Sequence, residues 1–252
     1  MYEEFSANYD RFMDWSARLA AELPFIKRQL SAVGAQRVLD AACGTGHHAI
    51  ALAEAGYRVM GADLSPGMID QARANALAIG ATVRFRVAGF GQLAERVEGS
   101  FDALLCLGNS LPHVLTADAL ARTLADFASS LRPGGLLLIQ NRNFDAVMAE
   151  RQRWMAPQSH QEDDAEWLFL RFYDFETDGT LTFNLVTLRR SAGEQWEQTI
   201  ASTRLRPLRQ AELVAALEVA GFERITWGGD LEGGAFDPVR SPNLIAVARR
   251  PG

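Results

Sequence analysis

Residues 37–141 alternate between short apolar runs and segments with helical spacing, and this alternation constrains the fold more than any other feature. The apolar runs predict strands over residues 37–41, 57–62, 82–88, 101–107 and 136–141. The spacing between them predicts helices over residues 46–55, 65–79 and 117–131. Strands that alternate with helices form a parallel sheet covered on both faces. Ligands of such sheets bind at the carboxyl ends of the strands.

The pattern changes after residue 150. Three extended runs over 166–175, 180–190 and 195–205 are joined by the hairpin signals Asp178-Gly179 and Ala192-Gly193, which predicts an antiparallel meander. A helix and two strands are then predicted over residues 210–220, 222–227 and 243–248. The sequence therefore predicts an α/β fold with a doubly wound, seven-stranded, mostly parallel sheet and an inserted antiparallel β meander.

The stretch from Val38 to Gly46, VLDAACGTG, runs from a strand through two glycines to a helix start. Free backbone N–H groups at such a loop form a cradle for a ligand. Its G-x-G-x-x-A pattern also fits dinucleotide-binding proteins. Asp40 favours another ligand, because a carboxylate opposes a pyrophosphate but attracts the sulfonium and ammonium cations of S-adenosylmethionine. An NAD-dependent oxidoreductase stays open as an alternative.

Three further residues follow the next two strands. Asp63 can accept hydrogen bonds from both ribose hydroxyls of either cofactor. Met68 and Phe90 can sandwich an adenine, although both are equally compatible with ordinary core packing.

Composition and charge narrow the class of protein. The net charge of −6 and the pI near 5.3 argue against a nucleic-acid partner. The N-terminus does not look like a signal peptide, and no apolar run approaches the ~20 residues of a membrane span. Two cysteines without ligand spacing give no reason to expect a metal. We expect a cytoplasmic protein that acts on a small molecule away from membranes.

The chain resembles the class I S-adenosylmethionine-dependent methyltransferases. The resemblance covers residues 36 to about 142 and lies in four motifs: Asp40-Ala-Ala-Cys-Gly-Thr-Gly46, Ala62-Asp-Leu-Ser-Pro-Gly-Met68, Phe101-Asp-Ala-Leu-Leu-Cys106 and Leu131-Arg-Pro-Gly-Gly-Leu-Leu137. It implies a Rossmann-like methyltransferase fold that binds S-adenosylmethionine. The cofactor-binding residues expected in and near these motifs are Asp40, Ala42, Gly44, Gly46, Asp63, Leu64, Met68, Gly89, Phe90 and Leu107.

A narrower likeness is to glycine and sarcosine N-methyltransferases. It lies in Cys106-Leu-Gly-Asn-Ser110 and in Gly134-Gly-Leu-Leu-Leu-Ile139 with Asn141-Arg-Asn-Phe-Asp145 after it. It implies that Asn109 and Arg142 hold an amino-acid substrate, and that His113 and Arg18 contact the cofactor. Where that family has an asparagine and a tryptophan after the third strand, this chain has Gly89 and Phe90.

The resulting hypothesis is methyl transfer by in-line displacement to a small acceptor, most simply the amine nitrogen of a glycine- or sarcosine-like compound, with a carboxylate held by Arg142. Asn109 would orient the amine, and no general base is assigned. Methylation of oxygen or carbon, methylation of RNA or protein, and a non-enzymatic binding scaffold are the alternatives. The expected domains are an N-terminal helical lid (residues 1–35, with Tyr9 over the cofactor), an α/β core (36–150 and 207–252) and an antiparallel cap over the active site (151–206).

Overall fold

The computed structural model describes residues 8–252, so the first seven residues of the expected lid lie outside the described part of the chain. The helices are α1 (Trp15–Ser31), α2 (His47–Glu54), α3 (Pro66–Ala78), α4 (Leu93–Arg96), α5 (Ala117–Ser130), α6 (Phe144–Glu150) and α7 (Gln210–Val219). The strands of the larger sheet are β1 (Arg37–Ala41), β2 (Arg58–Asp63), β3 (Arg84–Val87), β4 (Phe101–Cys106), β5 (Leu131–Arg142), β10 (Glu223–Gly228) and β11 (Asn243–Arg249). The strands of the smaller sheet are β6 (Gln158–Glu162), β7 (Ala165–Phe175), β8 (Leu181–Ser191) and β9 (Glu197–Leu205).

The larger sheet has the strand order β10-β11-β5-β4-β1-β2-β3. β1 to β5 are parallel, whereas β11 is antiparallel to both β5 and β10. The order of the strands reverses next to β1, which is the switch point where ligands bind to doubly wound sheets. The predicted fold class is confirmed.

The strands in the middle of this sheet are mainly apolar because both of their faces are covered. Along β1, Leu39 packs in the core cluster on one face and Val38 in the cluster on the other. Leu104 and Leu105 alternate in the same way along β4. Burial on both faces is typical of parallel sheets in α/β proteins. It holds the strand ends, and the loops that follow them, on a rigid support.

The sequence patterns missed parts of the fold. The expected three-stranded meander is a four-stranded antiparallel sheet of order β6-β7-β8-β9, because the polar segment Gln158–Glu162 forms an edge strand against β7. Its side chains are mostly exposed, so burial imposes no apolar alternation on it. β5 begins at Leu131, before the expected strand over 136–141, and the register of its pairing with β4 shifts between Phe101 and Ala103. The first turn of α6 is capped by Asn143, whose side chain accepts a hydrogen bond from the Ala146 N–H.

Within residues 8–252, no helix is long and apolar enough to serve as a membrane span.

Candidate active site

A cavity of roughly 590 Å³ lies where the carboxyl ends of the parallel strands face the smaller sheet. Ala42 and Gly44 of the glycine loop contribute to one side of it. Arg171, Tyr173 and Phe183 of the smaller sheet contribute to the other. The size is within the range of about 300–1,000 Å³ of small-molecule sites. The predicted site residues that line this cavity are Arg18, Ala42, Gly44, Asp63, Leu64, Met68, Gly89, Phe90, Asn109, His113 and Arg142.

Three of the residues expected to bind the cofactor do not line the cavity. Leu107 is a buried member of the core cluster beneath it. Gly46 begins α2 with φ of 85°, and a Cβ there would lie 2.9 Å from both the Ala72 Cβ and the Phe85 Cζ. Gly46 therefore serves the close packing of the glycine loop against its neighbours. The third residue, Asp40, lies behind the loop.

The Asp40 side chain is almost completely buried, with 2% of the residue exposed. Burial first, and then the negative charge of Asp63, raise the pKa of Asp40 to about 7, although the nearby Arg18 opposes the shift. A carboxylate in this position is costly unless a cation compensates it. Asp40 therefore makes the base of the glycine loop a favourable place for a cationic ligand.

The buried carboxyl of Asp40 predicts that Asp40→Asn changes the stability of the ligand-free protein in a pH-dependent way. The folded-state pKa of about 7 exceeds the ordinary value of 3.8, so wild-type stability falls as pH rises from about 4 to 7. We expect the ligand-free variant to be more stable than the wild type at pH 8, by up to about 4 kcal/mol, and to lose this advantage at pH 4. Thermal melts at both pH values measure it. A pH-independent difference would contradict the assignment.

Asp63, at the end of β2, joins two loops at the cavity wall. Its Oδ2 accepts a hydrogen bond of 2.9 Å from the Gly44 N–H, and its Oδ1 accepts one of 2.9 Å from the Ser65 N–H. The carboxylate thus holds the glycine loop beside the start of α3, where Met68 also faces the cavity.

Arg18 reaches the cavity as part of a polar network that sequence reasoning missed. Its Nε lies 3.2 Å from both carboxylate oxygens of Glu22, and the Glu22 Oε2 lies 2.6 Å from the His48 Nε2. Burial opposes ionisation of Glu22, but the His48 hydrogen bond and the Arg18 charge outweigh it and lower its pKa. The Gln140 Oε1 accepts from the Gly108 N–H and from Arg18. The spacing of Arg18 and Glu22, four residues apart on one helix, was the available signal.

Asn109 and Arg142 lie next to each other, and their hydrogen bond shows which atom of the Asn109 side-chain amide faces Arg142. Asn109 has a positive φ of 63°, and its Oδ1 accepts a 2.8 Å hydrogen bond from the backbone N–H of Arg142. A backbone N–H can only donate, so the contacting atom is the oxygen. The NH₂ group stays available as a donor, and the second lone pair of Oδ1 stays available as an acceptor. The expected role of Asn109 in orienting the amine stays a prediction.

Among the residues that the structure describes, no acid pairs with the side chain of Arg142. Asp145, the nearest candidate in sequence, accepts a 2.9 Å hydrogen bond from the Gln210 N–H. Across residues 8–252, no ion pair includes Arg142. A guanidinium that lines a cavity and has no acidic partner among the described residues is suited to bind an anion.

His113 and Tyr9 also line the cavity. Burial lowers the pKa of His113 to about 4, so the imidazole is neutral at pH 7. Tyr9 lines the cavity next to the glycine loop, since a Cβ on Gly44 would lie 3.7 Å from the Tyr9 Cε1. Burial raises the pKa of Tyr9, which keeps the phenol protonated.

A glycine loop, a buried acid behind it and a second acid at the next strand end fit S-adenosylmethionine, and comparisons with known proteins agree. Residues 38–135 match the family model described as "Methyltransferase domain". The glycine/sarcosine N-methyltransferase of Aphanothece halophytica is 31% identical over 230 residues, or 91% of this chain and 82% of that protein. The enzyme of the same name from Parasynechococcus marenigrum is 39% identical over 146 residues, 58% of this chain and 52% of that protein.

A solved structure of an S-adenosylmethionine-dependent methyltransferase from Clostridium acetobutylicum shares the fold over 100% of this chain and 99% of its own, with a TM-score of 0.80 at 16% identity. The chain belongs to the family of S-adenosylmethionine-dependent methyltransferases that contains the glycine/sarcosine N-methyltransferases. It is an enzyme whose cofactor is S-adenosylmethionine. The NAD-dependent oxidoreductase alternative is wrong, because the matched family model and the relatives are methyltransferases.

Proposed function

We propose that the enzyme transfers a methyl group to the amine nitrogen of a small acceptor that carries a carboxylate, as glycine and sarcosine do. The observation that carries this proposal is Arg142, a cavity-lining guanidinium that no acid of the described residues pairs with. The NH₂ group of Asn109, fixed beside the Arg142 backbone, adds a second donor for the same carboxylate. The names of the two relatives support the same chemistry.

The cofactor half of the cavity would be formed by the glycine loop and its acids. Asp63 would accept the ribose hydroxyls, and Met68 and Phe90 would lie against the adenine. Asp40, behind the loop, would compensate the positive charge, and Arg18 would hold the carboxylate of the amino-acid part. The remaining expected residues would contribute backbone and packing contacts: Ala42, Gly44, Leu64, Gly89 and His113.

Bound S-adenosylmethionine supplies a methyl group that its sulfonium already activates. The task of the protein is therefore to align the acceptor for in-line displacement and to keep water out. His113 is neutral at pH 7 but is a weak base, because burial lowers its pKa to about 4. The acceptor amine can lose its proton to solvent before it binds, so we assign no general base.

The smaller sheet and the N-terminal segment would enclose the acceptor. We propose residues 151–206 as a cap, because Arg171, Tyr173 and Phe183 from this sheet face the same cavity as the glycine loop. Tyr9 at the glycine loop supports a role for residues 1–35 as a lid.

A matched acceptor panel tests the proposal. The enzyme is incubated with methyl-labelled S-adenosylmethionine and with amino acids (glycine, sarcosine, aspartate) or the corresponding hydroxy acids (glycolate, malate). We expect label in at least one amino acid and none in the hydroxy acids. Label in the hydroxy acids alone would indicate O-methylation and would overturn the proposal for nitrogen.

A further inference from the structure

The smaller sheet places a second arginine in the acceptor half of the cavity. Arg171 lies on β7 and lines the cavity together with Arg142; these two residues are called the arginine pair below. The positive charge of Arg142 acts on Arg171 and, after burial, is the next cause that lowers the pKa of Arg171. The two guanidinium groups are therefore close enough to repel each other.

No acid in the described part of the chain neutralises this pair. Within residues 8–252, no ion pair includes Arg171, and its Nε is buried without a hydrogen-bond acceptor. Apart from Arg142, the charges that act on it belong to Tyr173 and Tyr9, both of which are protonated at neutral pH. The ring of Phe12, whose centroid lies 4.6 Å from the Arg171 Cζ, supports the guanidinium but brings no negative charge.

The other cavity-lining arginines differ in this respect. Arg18 is paired with Glu22 at 3.2 Å. Arg204 is paired with Asp178 at 2.6 Å, with 44% of its side chain exposed. Arg18 and Arg204 thus have acidic partners, whereas the arginine pair does not. The pair carries two positive charges, and a single carboxylate would compensate only one of them. An unpaired guanidinium in a closed site is costly, so a ligand with a second negative charge would offset that cost.

Tyr173 adds a neutral donor to the same cavity, and the charges of both arginines act on it. Its side chain is 2% exposed, and burial raises its pKa to about 12 against the opposing charges of Arg142 and Arg171. The phenol therefore keeps its proton and can donate to an anionic oxygen. Two guanidinium groups and one phenol provide more donors than one carboxylate with two oxygens can use.

We propose that the acceptor is a doubly negative amine, which carries a second anionic group besides the carboxylate held by Arg142, and that Arg171 with Tyr173 binds that group. The second group is a carboxylate or a phosphate-type anion, since both present oxygens that match a guanidinium. The proposal rests on the proposed function for the amine, but it makes a separate statement about anion binding.

Calorimetry on the protein saturated with S-adenosylhomocysteine tests anion binding without turnover. The probes are succinate and phosphonoacetate as dianions and propionate as the matched monoanion. We expect at least one dianion to bind at least tenfold more tightly than propionate. Arg171→Met should remove at least tenfold of the dianion affinity but change propionate affinity less than threefold. Arg189→Met, which removes an exposed charge from the same sheet, is the control and should change neither.

The comparison of succinate with phosphonoacetate tells which anion the site prefers. Equal affinity for the dianions and propionate, or an Arg171→Met variant that folds but keeps the dianion preference, would overturn the proposal. The thermal midpoint of each variant shows whether it is folded, and Arg171→Lys, which keeps the charge, should retain part of the preference.

Turnover separates this proposal from the proposed function. Aspartate and asparagine are nearly isosteric, and we expect kcat/KM to be at least tenfold higher for aspartate in the wild type and equal in Arg171→Met. Higher turnover of asparagine or glycine would overturn the second anion while leaving amine methylation intact. Failure to methylate any amine, combined with Arg171-dependent dianion binding, would overturn the proposed function and leave the anion site standing.

Discussion

Replacing Arg142 with methionine is expected to lower kcat/KM for a carboxylate-bearing amine at least a thousandfold. Methionine keeps much of the length of the side chain but removes the charged fork that would hold the carboxylate. The loss corresponds to about 4 kcal/mol of transition-state stabilisation, which is reasonable for a charge-assisted pair that also aligns the acceptor. Steady-state kinetics at saturating cofactor measure it.

The controls for this substitution separate the two halves of the cavity. Affinity for S-adenosylhomocysteine should change less than threefold, because we assign Arg142 to the acceptor and not to the cofactor. Arg142→Lys should be intermediate, and Arg189→Met should behave as the wild type. If Arg142→Met keeps wild-type turnover, Arg142 does not hold the acceptor.

The second large effect is expected for Asp63→Ala, with an affinity for S-adenosylhomocysteine at least a hundredfold weaker than that of the wild type. The substitution removes the proposed partner of the ribose hydroxyls and also both hydrogen bonds, to the Gly44 and Ser65 N–H groups, that join the two loops. Isothermal titration calorimetry measures the affinity. Wild-type affinity in a folded variant would contradict the assignment of Asp63 to the cofactor half.

Asp63→Asn distinguishes the two contributions. An asparagine oxygen can still accept one of the two backbone hydrogen bonds, but the side chain no longer accepts two ribose hydroxyls as a carboxylate does. We expect its affinity to lie between those of the wild type and Asp63→Ala. Removing the charge should also lower the pKa of Asp40, because Asp63 is one of the groups that raise it.

Local signals were sufficient for the larger sheet. Its central strands are buried on both faces and therefore read as mainly apolar runs. The helix predicted over 65–79 forms as α3, and the Ser65 side chain caps it by accepting a hydrogen bond from the Met68 N–H. The cofactor loops follow from the same strands, so most of the expected residues line the cavity. The position of a residue directly after a parallel strand therefore predicts that it lies at the edge of the sheet where the cavity is found.

The acceptor half depends on contacts between distant parts of the chain. Arg171 shares one face of β7 with the aromatic residues Trp167, Phe169 and Tyr173. The other face also carries apolar residues, so the alternation does not tell which face of β7 meets the cavity. Glu22 and His48 meet across 26 residues through the packing of α1 against α2. The use of the Asn109 oxygen by the Arg142 backbone is likewise visible only when β4 and β5 lie side by side. These relations are set by tertiary packing.

The atom that receives the methyl group is the most direct test of the account. The enzyme is incubated with S-adenosylmethionine carrying a ¹³C-labelled methyl group and with ¹⁵N-labelled aspartate or glycine, and the product is examined by NMR. We expect a one-bond coupling between the methyl carbon and the amine nitrogen. A methyl carbon attached to oxygen or carbon, or no labelled product from any amine, would contradict it.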